Sequence, residues 1–352
     1  MSSWIGSWAR SPSTWVSPTR PSRTTSRPPD GGHTRDPERV STSPTPRIPR
    51  ILGPYEILSQ LGKGGMAEVF RARVRAGPRQ GWTVAVKRLL PALTKDPASV
   101  SLFAAEARLT KQLDHPNIVQ VLDVGLVEGQ YFIVMELVDG RDLGHILRRC
   151  KHRGIYLPLD FAVYLGRVLL QALSYAHSAT GPGGEPLGIV HCDISPSNLF
   201  ISRLGDIKLG DFGVARLRVD GVLQGGEVLG KPYYLSPEAL QGAIDPSVDL
   251  WAATVVLYEL LTLQRPFTGS TPEEVFTKIV YRDYLPPSLI RPEIPEALDE
   301  IIHKGFAVNP EDRFPSAEAF AEALAPHYDE RVGTPLAIAA VVRGLFGISD
   351  ST

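Results

Sequence analysis

A chain of 352 residues, 43% hydrophobic and 21% charged, can bury one large core or two smaller lobes. Its formal net charge of −1 gives no overall attraction towards nucleic acid or anionic lipid. Two cysteines, Cys150 and Cys192, exclude a disulfide framework and a thiolate metal cluster, and they fit a reducing compartment.

Residues 1–50 are rich in Ser, Thr, Pro and Arg, with eight arginines against Asp30, Asp36 and Glu38. Such a segment cannot bury enough apolar surface to offset the entropy of ordering, so disorder is expected there despite Trp4, Trp8 and Trp15. It lacks the continuous apolar core of a secretory signal, and no folded reader accompanies its basic residues, so nucleic acid is not expected as a partner. Residues 55–61 alternate loosely like a strand and run into Leu61, Gly62, Lys63, Gly64, Gly65, Met66, Ala67, Glu68 and Val69. Glycines in such a turn let backbone approach phosphate closely and offer it N–H donors, although Gly-rich hairpins without a ligand are common. Residues 82–89 read as the next strand and carry Ala85 and Lys87. Residues 97–113 have helical spacing at Val100, Phe103, Ala107 and Leu113, with Pro97 suited to a first turn and Glu106 within the helix. Two strands, near 119–125 and 130–136, and a helix near 143–149 complete the first half.

In the second half, residues 160–179 place apolar side chains at helical spacing, and His177 near the end reads as structural. After a Gly/Pro-rich insert at 180–188 comes the stretch around which the chain is organised, residues 189–213, IVHCDISPSNLFISRLGDIKLGDFG. Asp193 precedes Asn198 by five residues, and Asp211 follows thirteen residues later. Apolar runs at 199–201 and 207–209, split at Gly205, read as a hairpin between two loops, which aims three oxygen ligands into one cleft. Mg²⁺ takes a few oxygen ligands and leaves the rest of its shell to water and phosphate. The stretch therefore reads as a metal–phosphate site with Asp193 to spare as a base. Asp249 begins a strongly apolar helix, further helices are expected near 272–281, 296–306 and 316–325, and residues 336–346 read either as a short amphipathic helix docked on the lobe or as a frayed tail. The longest apolar run near the C-terminus, residues 335–342, is far short of the roughly 20 residues a membrane span needs.

The segment His191–Asn198 resembles the catalytic loop of protein kinases, and Asp211-Phe212-Gly213 resembles their DFG motif. The glycine-rich turn, the strand lysine, His115-Pro116-Asn117 and Ser236-Pro237-Glu238 follow in that family's order, and the chain is similar to bacterial eukaryotic-like serine/threonine kinases over about residues 51–326. The resemblance implies an α+β bilobal fold. An antiparallel sheet with one helix would occupy about 51–136 and a mainly helical lobe 138–326, flanked by the extension 1–50 and a tail, 327–352. It implies ATP and Mg²⁺ (or Mn²⁺) as cofactors, Ser/Thr-containing proteins as substrates, and a cytoplasmic setting. Asp193 would accept the substrate proton, Asn198 and Asp211 would hold the metal, and Lys87, fixed by Glu106, would hold the α- and β-phosphates. Residues 61–69 would cover the phosphates. Phe200 would be the floor under adenine, Val69 and Ala85 its roof, Met135 the gatekeeper, and Glu136 to Val138 the hinge. Asp142 would contact ribose or cap a helix. Glu238 would pair with Arg313.

The chain departs from that pattern at several places. Ala67 replaces the third glycine. Cys192 replaces the Arg that normally reads an activation-loop phosphate, and residues 214–235 contain no Ser or Thr, only Tyr233 and Tyr234. Activity independent of Ser/Thr phosphorylation in that loop is therefore expected. Ser195 stands where the family has Lys, and Lys231 where it has Thr. An exchange of hydroxyl and ammonium would let Lys231 supply the charge that Ser195 cannot. The alternative is a pseudokinase that binds nucleotide without turnover.

Overall fold

The computed structural model describes residues 50–212 and 232–346. The first lobe is a six-stranded antiparallel sheet in the order β1-β2-β3-β4-β6-β5. Its strands are β1 (Ile51–Leu52), β2 (Tyr55–Lys63), β3 (Ala67–Val74), β4 (Thr83–Leu89), β5 (Val121–Val127) and β6 (Gln130–Glu136). Alternation along β3 and β4 sends Val84, Val86, Ala72 and Val74 into one apolar cluster, together with Phe132 and Val134. The sheet is rolled: Tyr55 of β2 donates to the Asp123 carboxylate of β5 at 2.8 Å and meets Phe132 edge to face. Burial, with Asp123 beside it, pushes the Tyr55 phenol up to about 12. Helix α1 (Pro97–Thr110) covers the other face, with Phe103 and Ala107 packed on Leu89, Val121 and Ile133. Its start follows from sequence, since the Asp96 side chain accepts from the Ala98 and Ser99 amides and Pro97 fills the first turn.

The second lobe is helical, with a small three-stranded sheet, β7 (Gly140–Asp142), β8 (Leu199–Ser202) and β9 (Ile207–Leu209), on the side of the hinge. Its helices are α2 (Leu143–Arg153), α3 (Leu159–Ser178), α4 (Pro246–Thr262), α5 (Pro272–Tyr281), α6 (Pro287–Ile290), α7 (Glu296–Gly305), α8 (Ala317–Leu324) and α9 (Pro335–Phe346). Helix α4 is apolar on all sides because it is buried on all sides, with Trp251, Val255, Val256 and Leu260 fully enclosed. Trp251, Tyr258, Phe267, Tyr284 and Phe306 interlock around it in stacked and edge-on contacts. Among the described residues no helix is long and apolar enough to cross a membrane.

The sequence-expected elements over 130–136 and 272–281 coincide with β6 and α5, and the others differ by a few residues at their ends. β1, β7 and α6 had no sequence signal, being two to four residues long with no period to read. The expected hairpin around Gly205 is β8–β9, with Gly205 at φ +96°. Residues 1–49, 213–231 and 347–352 lie outside the described residues.

Candidate active site

The catalytic stretch is built from the core of the second lobe upward. Asp249, wholly buried in the first turn of α4, accepts from the His191 amide (2.7 Å), the Cys192 amide (2.8 Å) and His177 Nε2 (2.9 Å). Cys192 is held in the left-handed region, φ +63°, a conformation a side chain adopts only when its surroundings impose it. Its side chain packs beside Val190, Ala239 and Val248. His191 donates from Nε2 to the Gly210 carbonyl (3.1 Å), and its Nδ1 accepts from the Asp193 amide (3.2 Å), which fixes a neutral tautomer. Burial lowers the His191 pKa, against the pull of Asp249 and Asp193. The imidazole also packs on Phe212 at 4.4 Å.

Two side chains expected at the site are bonded directly: Asn198 Nδ2 donates to the Asp193 carbonyl (2.7 Å) and carboxylate (3.1 Å). The Gly210 amide donates to the Asn198 carbonyl at 2.9 Å, linking the catalytic loop to the residue before Asp211. Asp211, like Cys192, is left-handed, φ +54°. Lys87 closes the arrangement from the other lobe, with Nζ at 2.5 Å from Glu106 Oε1 and 3.3 Å from Asp211 Oδ1. Burial disfavours the ammonium, but the carboxylates of Asp211 and Glu106 more than offset it, and the Lys87 pKa is raised. Lys87, Glu106 and Asp211, and with them Asp193 and Asn198, are thus brought into one network spanning both lobes.

Beside this network lies a cavity of about 230 Å³ whose lining includes Leu61, Gly62, Val69, Ala85, Met135, Glu136, Val138, Phe200 and Asp211. Leu137, inside the expected hinge, lines it too, as do Val119 and Gly210, which sequence reasoning had not assigned. Gly210 carries a readable signal after the fact, since a Cβ there would lie 3.1 Å from the Phe200 ring and 3.0 Å from Val119. Lys63, Gly64, Gly65, Met66, Ala67 and Glu68 do not line the cavity. They are the end of β2, the turn at residues 64–66 and the start of β3, closed by the Gly64 amide on the Ala67 carbonyl at 2.8 Å.

Some side chains point elsewhere than expected. The Glu68 carboxylate is on the opposite face of β3 from Val69, bonded to Arg88 at 2.7 Å and near Lys63 at 3.3 Å, and the Arg88 bond lowers its pKa. The Glu136 carboxylate accepts from Lys208 (2.7 Å) and from the Gln120 amide (2.8 Å), and the Glu136 amide donates to the Gln120 carbonyl (3.0 Å). Asp142 accepts from the His145 amide at 2.9 Å and bonds the His145 ring, so it caps α2. Ser195 is buried, its hydroxyl 3.2 Å from that of Ser197. Lys231 and Gly213 lie outside the described residues. Glu238 and Arg313 form a two-pronged pair at 2.6 and 2.7 Å. A larger depression, of about 860 Å³, lies between Tyr284 and His303 on the second lobe, where acidic and basic side chains alternate and none of the five polar groups reaches.

The residues at 55–325 match the family model "Protein kinase domain". The chain belongs to the protein kinase family. Among its kinase relatives, "Tyrosine-protein kinase MasK" of Myxococcus xanthus is 40% identical over 302 residues, covering 84% of this chain and 46% of that protein. "Probable serine/threonine-protein kinase SCO3848" of Streptomyces coelicolor is 37% identical over 307 residues, covering 85% and 43%. "Serine/threonine-protein kinase PknB" of Mycobacterium leprae is 37% identical over 276 residues, covering 76% and 42%. The chain thus spans less than half the length of these kinases. The crystal structure of the Mycobacterium tuberculosis PknI kinase domain superposes with a TM-score of 0.59 at 25% identity, covering 79% of this chain and 97% of that one. The kinase-like fold, a sheet lobe on a helical lobe, is the one anticipated from the sequence.

Proposed function

We propose that this kinase transfers the γ-phosphate of ATP to Ser and Thr hydroxyls of protein substrates in the cytoplasm, with residues 51–326 as the catalytic unit between the extension 1–50 and the tail 327–352. The observation that carries the reading is Lys87 held between Glu106 and Asp211, the second of which lines the apolar cavity. An ammonium so fixed, and kept charged, meets the α- and β-phosphates, while Phe200 below and Val69 and Ala85 above take the purine. The backbone of Glu136 to Val138 is the hinge that hydrogen-bonds adenine. The Asn198 Nδ2 is turned to Asp193, which leaves Oδ1 as an oxygen ligand, and with Asp211 this gives the two-oxygen donor set that suits Mg²⁺ or Mn²⁺. The metal supplies charge neutralisation on the phosphates when bound there. Asp193, held by Asn198, accepts the proton of the attacking hydroxyl. Lys231, where the family has Thr, supplies the charge at the transferred group that Ser195 cannot. No Ser/Thr phosphate in residues 214–235 is required, since that span has no such residue and Cys192 cannot read one.

A second reading, transfer to tyrosine, is favoured by the 40% identity to a relative named a tyrosine kinase. A third, a pseudokinase, rests on Ser195 and Lys231. Incubation of the full chain with labelled ATP and acceptor proteins, then acid hydrolysis and separation of phosphoamino acids, distinguishes them. Phosphoserine and phosphothreonine, absent from Asp193→Asn, are expected. Phosphotyrosine alone assigns the second reading, and nucleotide binding without transfer the third.

A further inference from the structure

The family match stops at residue 325, yet α9 follows it and is built into the second lobe. Ile338, Ala339, Val342 and Leu345 are buried, and Ile338, Val342 and Leu345 join the main apolar core. At the near end, α9 comes so close to the β8–β9 turn that a Cβ on Gly205 would lie 2.0 Å from the Pro335 carbonyl oxygen. At the far end, arginines from just past the hinge receive it. Arg149 Nε donates to the Leu345 carbonyl and Arg153 Nη1 to the Gly344 carbonyl, each at 3.2 Å. The last carbonyls of a helix have no partner within it and carry its negative pole, so guanidinium donors suit them. Arg141 and Arg149 also lie 5.8 and 6.0 Å from the centre of the Phe346 ring.

The segment that α9 grips supports the nucleotide cavity. Arg141 is the middle residue of β7 and pairs with Ile201, while its neighbour Asp142 pairs with Phe200, the cavity floor, and caps α2. A three-residue strand has little stability of its own. Packing from behind must therefore fix its height. We propose that α9 is a brace for the nucleotide site: through Phe346, Arg141 and Arg149 it holds β7 and the start of α2 where Phe200 receives the purine. Phe346 and Arg149 are positioning residues, and releasing them weakens nucleotide binding without slowing phosphoryl transfer. The inference rests on the ATP-binding reading above.

Titration of the full chain with a fluorescent ATP analogue, alongside KM for ATP, kcat and the melting temperature, tests it. In Phe346→Ala the dissociation constant and KM for ATP should rise about tenfold with kcat within about twofold, a ground-state binding signature. Phe346→Tyr, which keeps the ring, should match wild type. Should Phe346→Ala fail to fold, Arg149→Met decides by the same criteria. Unchanged nucleotide affinity with a lowered melting temperature overturns the brace and leaves α9 as a stabiliser of the lobe, as does a fall in kcat at constant KM. A wild-type chain that binds no ATP refutes the underlying nucleotide reading as well, and is told apart by that control alone.

Discussion

Asp249→Asn isolates the hold that the second lobe has on the catalytic loop. The Asp249 carboxylate accepts three donors, the amides of His191 and Cys192 and the His177 ring, and is wholly buried. Asparagine has the same shape but one acceptor oxygen. Its best orientation keeps that oxygen on His191 and His177 and turns its NH₂ against the Cys192 amide. One charge-assisted bond is lost, about 1.5–3 kcal/mol, and a buried N–H is left unsatisfied, about 1–3 kcal/mol. Together these come to about 2.5–6 kcal/mol, against a total stability of about 5–15 kcal/mol. Cys192 is also released from its left-handed conformation, which carries about 1–3 kcal/mol of strain. Asp193 follows it in the chain, and a displacement of about 1 Å lowers turnover about 10²-fold. Urea denaturation and labelled-phosphate transfer should show both losses, with ATP affinity retained because Asp249 is remote from the cavity. A variant that loses less than about 1 kcal/mol and transfers within about threefold of wild type refutes the reasoning.

Glu238→Ala should lower stability by about 3–5 kcal/mol, read by denaturant midpoint, because it strands the buried Arg313 guanidinium. The lowered pKa of His191 gives a sign for acid sensitivity. An imidazole neutral when folded and protonated when unfolded contributes stability that is fully present above the unfolded pKa of about 6.5 and is lost as pH falls below it. The denaturant midpoint should therefore fall between pH 7 and pH 5.5, and His191→Phe should flatten that fall; an unchanged slope assigns it to His115 or His303, whose pKa values burial also lowers. Lys231→Ala should slow turnover about 10²–10³-fold with little change in ATP binding, and near-normal turnover would end the idea that it replaces the missing lysine.

The catalytic loop was legible because it is local. Asp193, Asn198 and the β8–β9 hairpin lie within 17 residues of one another, and an apolar hairpin between polar loops admits few geometries. The Lys87–Glu106 pair was legible only through resemblance, since a strand lysine and a helix glutamate mean nothing alone. The side-chain directions of Glu68 and Glu136 were not legible, because their cationic partners Arg88 and Lys208 lie 20 and 72 residues away. The anchoring role of Asp249 was hidden for the same reason: a carboxylate opening an apolar helix reads as a cap until the amides it faces are known. The docking of α9 was one of two readings of its apolar spacing, but its contacts with Gly205 and three arginines distant in sequence are announced by no periodicity.

The central claim is that side chains from both lobes close around one ATP–metal complex, and the most direct measurement is the metal dependence of phosphate transfer by the full chain. Labelled γ-phosphate should pass from ATP to protein only with Mg²⁺ or Mn²⁺, and Asp193→Asn should abolish transfer while keeping nucleotide affinity within about threefold. Transfer undiminished in chelator, or equal in wild type and Asp193→Asn, contradicts the account.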